Sequence, residues 1–145
     1  MYKLNDSEMF SDITDNVAVI INAQTGVYYG MNAAGTLVYK SLIEGADVKK
    51  IAGHLKTIPQ APADIDTRVD AFVKELLNKN IIVEGPTVQA DLAIDGSVLA
   101  KDNFELKVGE YLDAQELLLA DPIHDVEKEE GWNPILKENG KKENE

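Results

Sequence analysis

The sequence predicts an α+β fold: antiparallel N-terminal strands lead into three helices, and an extended acidic C-terminal region follows. Three observations predict it. Runs rich in β-branched and aromatic residues occupy Met9 to Met31. From Asn32 to Leu77 apolar residues recur at helical spacing. The charge balance then shifts: residues 1–85 hold 8 Lys/Arg against 11 Asp/Glu, whereas residues 86–145 hold 6 against 15.

Met9-Phe10-Ser11-Asp12-Ile13 is a short candidate strand, and Val17-Ala18-Val19-Ile20-Ile21 a stronger one. Asn22-Ala23-Gln24-Thr25-Gly26 supplies turn chemistry, with Gly26 able to take the positive φ of a hairpin loop. Val27-Tyr28-Tyr29-Gly30-Met31 returns as the partner strand. Asn32 is a good N-cap for a first helix whose face is Ala34, Leu37, Val38, Ser41 and Leu42, with Gly45 at the left-handed cap. Asp47 caps a second helix with Val48, Ile51, Ala52 and Leu55 on its apolar face; residues 57–62, with Pro59 and Pro62, break it. Asp64 opens a third helix, striped by Ile65, Val69, Phe72, Val73, Leu76 and Leu77 and ended by Asn78-Lys79-Asn80. Ile81-Ile82-Val83 closes the unit as a strand or extended segment, and Glu84-Gly85-Pro86 is a natural boundary.

Beyond that boundary Val88, Ala90, Leu92 and Ile94 alternate up to Asp95-Gly96, a turn dipeptide, and Phe104, Leu106 and Val108 alternate up to Gly109. Asp113-Ala114-Gln115-Glu116 fits a capping box ahead of Leu117, Leu118 and Leu119. Charge dominates from Glu127 onward. The expected organisation is a domain over residues 1–85, an extension over 86–136 with a hairpin and a short helix or linear motif, and a disordered tail over 137–145.

A length of 145 residues and an apolar fraction of 44% suit one small domain with an appendage. No run approaches the roughly 20 apolar residues of a spanning helix, and Met1 to Asp6 does not read as a secretory signal. With no cysteine there is neither a disulfide framework nor a thiolate site, so the expected location is cytoplasmic. A net charge of −12 argues against nucleic acid, whose phosphates need cations, and no membrane partner is expected.

Nor does a catalytic constellation stand out. His54 lies on the second predicted helix beside Gly53, most simply as a surface residue. His124-Asp125 with Glu127, Glu129 and Glu130 matches no established metal-ligand spacing. No serine stands in a Gly-x-Ser-x-Gly context, and neither a phosphate loop nor a dinucleotide fingerprint is present. The expectation is a protein that is not an enzyme, with no cofactor and no metal.

Val17-Ala18-Val19-Ile20-Ile21-Asn22, Thr25-Gly26-Val27-Tyr28-Tyr29-Gly30-Met31-Asn32, Gly35 to Tyr39, Ile43-Glu44-Gly45, Val48 to Ala52 and the helix from Asp66 to Leu77 together carry a resemblance. The pattern resembles the PqqD-like family, the peptide-recognition elements of ribosomally made, modified peptides. It covers about 80 residues, and Tyr39 stands where many relatives carry tryptophan, a packing variant that keeps the aromatic bulk. The resemblance implies a small winged helix-turn-helix fold and a non-catalytic peptide chaperone. Such proteins hold the leader of a precursor peptide and present it to a modifying enzyme. The ligand adds a strand to the edge of Val27, Tyr28, Tyr29, Gly30 and Met31, and its side chains reach a groove against the third helix.

Strand addition needs an exposed edge with unpaired backbone groups, and Val27 to Met31 contains no proline. About four new hydrogen bonds contribute about 2–6 kcal/mol net. A micromolar complex needs about 8 kcal/mol, so apolar pockets must supply the rest. Tyr28 and Tyr29 face opposite sides of a strand, so one is expected to line a pocket and the other to pack in the core. Arg68 and Lys79 could pair with an acidic leader, although exposed helical charges are usually only solvated. Phe72 could wall the groove, although an aromatic on a helical stripe is usually core. A DNA-binding use of the third helix is disfavoured by Asp64, Asp66, Asp70 and Glu75 against Arg68, Lys74 and Lys79.

Three readings of the extension compete. Residues 88–108 add a hairpin to the core and the rest is a flexible tail. Leu117 to Trp132, with Leu118, Ile123, His124 and Trp132 as its anchors, docks a partner enzyme. Or that same segment folds back into the peptide groove as a tethered competitor. The function alternative of another class is a structural or regulatory adaptor that binds a folded protein through the sheet edge and the C-terminal motif. An exposed edge strand would also allow a homodimer.

Overall fold

The structure, a computed structural model, describes residues 1–88, 92 and 94–112. Leu118, Ile123, His124 and Trp132, and with them the docking-motif expectation, lie outside the described residues.

Among the described residues, two antiparallel sheets and four helices form around one core. In chain order these are β1 (Tyr2–Leu4), β2 (Met9–Thr14), β3 (Val17–Asn22), β4 (Tyr28–Met31), α1 (Ala33–Ile43), α2 (Val48–Lys56), α3 (Ile65–Asn78), β5 (Ile82–Glu84), α4 (Gly96–Lys101) and β6 (Val108–Tyr111). The larger sheet has the order β2-β3-β4-β6, and the smaller pairs β1 with β5. The β2–β3 hairpin turns on Asp15 and Asn16, both left-handed at φ 53° and 62°. That is the primed turn whose twist matches the flanking strands, and Asp and Asn tolerate the conformation. In the β3–β4 turn, Asn22 Oδ1 accepts from the amides of Gln24 and Thr25, and Gly26 takes φ +76°.

The helices form where the apolar spacing places them. Asn32 caps α1 through its side chain and Asp47 caps α2, as expected. Asp64 stands at the N-cap of α3 without a side-chain capping bond; its carboxylate takes the Arg68 guanidinium instead. α1 is buried nearly all round, including Thr36 and Tyr39, which its sequence stripe did not include. It is the central helix, enclosed by strands and by α2 and α4, so it has no broad solvent face. Thr36 Oγ1 accepts from the Ala18 amide at 2.9 Å, and the Tyr39 hydroxyl donates to Ser11 Oγ at 2.8 Å. These bonds join α1 to β3 and β2 with their polar atoms paired inside an apolar core.

Past Pro86 the structure departs from the expected hairpin over 88–108. Asp95-Gly96 begins a helix rather than a turn: Asp95 Oδ1 accepts from the Ser97 amide at 2.9 Å and from its hydroxyl at 2.7 Å, which caps α4. Asp is both a turn former and an N-cap, and the dipeptide alone does not choose between them. Asn103 and Phe104, at φ 55° and 57°, then reverse the chain. Ile94, Leu99 and Phe104 join the same apolar cluster as Ile20, Val38 and Phe72, so the core continues beyond residue 86. The last described strand, β6, lies antiparallel along β4 with Met31 opposite Val108 and Tyr28 opposite Tyr111. The edge expected to be open is therefore paired within the chain.

Candidate functional site

The candidate site is the edge of β4 with the neighbouring N-terminus of α1 and the side of α3 that runs from Arg68 to the C-cap Lys79. Alternation along β4 turns Tyr29 and Met31 inward with Ile20, and leaves Tyr28, half-buried, on the opposite face. That separates the two tyrosines: Tyr29 is the core-facing one. Burial pushes its phenol above the ordinary tyrosine range, and the carboxylate of Glu110, directly opposite on β6, adds to the shift.

Asn32 sits at the junction of β4 and α1 and has two tasks. Its Oδ1 accepts from the Gly35 amide at 2.9 Å, closing the helix cap, and from the Lys107 amide at 3.0 Å. Its Nδ2 donates to the Glu105 carbonyl at 2.7 Å, and its backbone amide donates to the Lys107 carbonyl at 3.2 Å. One side chain thus caps a helix and grips the strand entering the sheet. Gly35 makes the approach feasible. A Cβ there would stand 2.8 Å from Asn32 Oδ1, closer than real contacts come, and a tight 3.0 Å from the Lys107 carbonyl oxygen. Asp102 completes the seat by accepting from the Ala34 amide at 2.9 Å, a carboxylate placed at the positive end of α1.

Arg68 on α3 and Lys79 at its C-cap also meet the extension. Arg68 Nη1 donates to the carbonyls of Asn103 and Phe104 at 3.1 and 3.3 Å, while Nε pairs with Asp64. Lys79 Nζ stands 3.6 Å from a Glu110 carboxylate oxygen. Phe72, 1% exposed, is a core residue and lines no open surface. The expected binding residues therefore fall into three groups. Tyr28 to Met31, Arg68 and Lys79 surround β6 and the loop before it, Phe72 supports α3 from below, and Val27 sits half-buried at the start of the strand. Asn32 and Gly35 were legible as cap and motif residues but not as contacts of an added strand. The signal was an N-cap asparagine immediately following an edge strand, where one amide can serve both.

Among the described residues, no group of three or more His, Asp or Glu could hold a metal ion, and no helix is long and apolar enough to cross a membrane. Tyr39, buried with Ser11 as its partner, is pushed above pH 10 mainly by burial, the bond to Ser11 opposing the shift. In the unfolded chain this phenol ionises first, so the folded state holds more protons above pH 10 and stability falls with rising pH. Urea midpoints are expected to decline from pH 10 upward in the natural chain, and less steeply in Tyr39→Phe, which has no proton to lose at that position.

These elements define the class: a small α+β domain in which an antiparallel sheet and a three-helix unit flank one sheet edge. The sequence model of the family described as "Coenzyme PQQ synthesis protein D (PqqD)" matches residues 18–82, the span from β3 to the start of β5. Over that span the chain is similar to PqqD-like proteins. A solved structure described as "TbiB1 in Complex with the TbiA(beta) Leader Peptide" is similar at 27% identity and a TM-score of 0.50, over 61% of this chain and 99% of that one. No curated protein matches this chain.

Proposed function

We propose that this chain is a non-catalytic peptide-binding chaperone: it captures the leader of a ribosomally made precursor peptide at the β4 edge and presents it to a modifying enzyme. The observation that supports this most directly is that β4, α1 and α3 together already hold an extended segment of polypeptide by backbone pairing and side-chain clamps. The likeness to TbiB1, solved with a leader peptide, supports the same ligand class. Strand addition at this edge suits the absence of proline in β4 and the cations Arg68 on α3 and Lys79 at its C-cap, which would meet acidic groups or carbonyls of a ligand.

Panning a phage-displayed library of twelve-residue peptides on the full chain, with amide NMR mapping of the enriched peptide, tests the reading. Enriched peptides are expected to bind with micromolar affinity and to shift the amides of residues 28–31 and of α3. Shifts confined to β2 would point instead to the adaptor reading. That second reading has one observation in its favour: β2 is the opposite edge of the larger sheet and leaves Phe10 68% exposed. A folded partner or a second copy of the chain could pair there.

A further inference from the structure

The edge on which a leader would add is occupied by the chain's own β6, and the manner of occupation differs along the segment. Residues 94–107 are anchored. Ile94, Leu99 and Phe104 are core residues, Asp102 caps α1, Arg68 takes two carbonyls, and Asn32 holds Glu105 and Lys107. β6 itself is held more lightly. Of its four residues only Tyr111 is buried: Glu110 is exposed, Val108 and Gly109 are half-exposed with Val108 packed against the core, and the ion pair to Lys79 is at 3.6 Å with Glu110 half in solvent. Opposite Gly109 stands Gly30, so that pair makes no cross-strand side-chain contact. The Tyr111 ring fills that gap by lying over Gly109, where a Cβ would be only 2.5 Å from its hydroxyl. Beyond it Leu112 is 72% exposed.

We infer that Val108–Tyr111 is a resident occupant of the leader site, exchanged for the leader strand on binding while residues 94–107 stay docked. This rests on the leader-binding reading above. The resident strand also states the chemistry of what replaces it. The incoming segment is extended and free of proline. It is apolar where Val108 meets Met31, small where Gly109 faces Gly30, acidic where Glu110 reaches Lys79, and aromatic where Tyr111 covers Gly109. Tethering gives β6 a high effective concentration, so a leader binds at an apparent affinity lowered by the fraction of time the edge is closed. The device selects against weak extended peptides, which cannot out-compete a strand already in place.

The test uses two full-length variants and one probe, the twelve-residue peptide most enriched from a phage library on the Gly109→Pro chain. Gly109→Pro removes a strand amide and unpairs β6 without touching β4 or α3. Tyr28→Cys/Tyr111→Cys joins opposite residues of β4 and β6 in a chain that has no other cysteine. The expected result is probe binding about 10-fold or more tighter to Gly109→Pro than to the natural chain, as for an edge closed about nine-tenths of the time. Binding to the double variant should be lost on oxidation and restored by reductant, a comparison within one protein that holds even if the proline variant folds poorly. Equal binding to the oxidised and reduced double variant overturns exchange and places the leader elsewhere, with leader recognition itself intact. If the library yields no peptide that binds either the proline variant or the reduced double variant, leader recognition fails and the exchange fails with it.

Discussion

Replacing Phe72 with alanine is expected to destabilise the fold by about 3–5 kcal/mol, the range for truncating a buried aromatic. The ring is almost wholly enclosed and packs with Leu76, Val69 and the residues of α1 and the sheet in a single cluster. Truncation leaves a cavity that surrounding helices close only in part. The result separates two roles for this residue. A wall of a peptide groove would lose ligand affinity on truncation and keep its stability, whereas a core ring loses stability first. Equilibrium urea unfolding decides between them, and a shift smaller than about 1 kcal/mol would refute the core assignment. Phe72→Leu, which keeps most of the volume, is expected to recover much of the loss.

The second large effect is expected at Asn32. Asn32→Ala removes the α1 cap, worth about 1 kcal/mol, and leaves the Lys107 amide and Glu105 carbonyl without their side-chain partner. With about 0.5–1.5 kcal/mol for each of those bonds, the total is about 2–4 kcal/mol. Because the same side chain secures the strand, the loss has a spatial signature: amide exchange should accelerate from Lys107 to Tyr111 more than in β3 or α2. Asn32→Asp keeps both acceptor bonds of the side-chain oxygen but sets a second carboxylate oxygen against the Glu105 carbonyl, so it should retain the α1 cap and still accelerate exchange around Lys107. Uniform acceleration across the whole domain in Asn32→Ala would mean that the residue acts on the helix alone.

How far the sequence could be read shows in particular elements. β3, the Gly26 turn, the three helix stripes and the caps at Asn32 and Asp47 were legible because each is specified by neighbours a few residues apart: alternation for strands, three-to-four spacing for helices, one polar side chain for a cap. β1 was not legible. Three residues carry a single alternation, and Tyr2 to Leu4 becomes a strand only because β5, some 80 residues later, offers Ile82 to Glu84 as a partner. Asp95-Gly96 was misread for a related reason. The dipeptide suits a turn and a helix start equally, and what settles the matter is the burial of Leu99 against a core built from distant segments.

The candidate site divides along the same line. The strand Tyr28 to Met31 and the cations Arg68 and Lys79 could be named from pattern and resemblance, and the structure gathers them at one edge. Their partners could not be named. Which strand lies along an edge is decided by pairing between residues far apart in the chain, and a polar edge strand advertises no unique register. Sequence by itself determined the local elements, the acidic balance and the resemblance to a recognition domain. Only the tertiary structure decided that Phe72 is core, that Tyr29 rather than Tyr28 faces inward, and that β4 is paired by Val108–Tyr111. The physical reason is that local propensity acts over one turn or one strand, whereas burial and edge pairing depend on which distant segments the closed chain brings together.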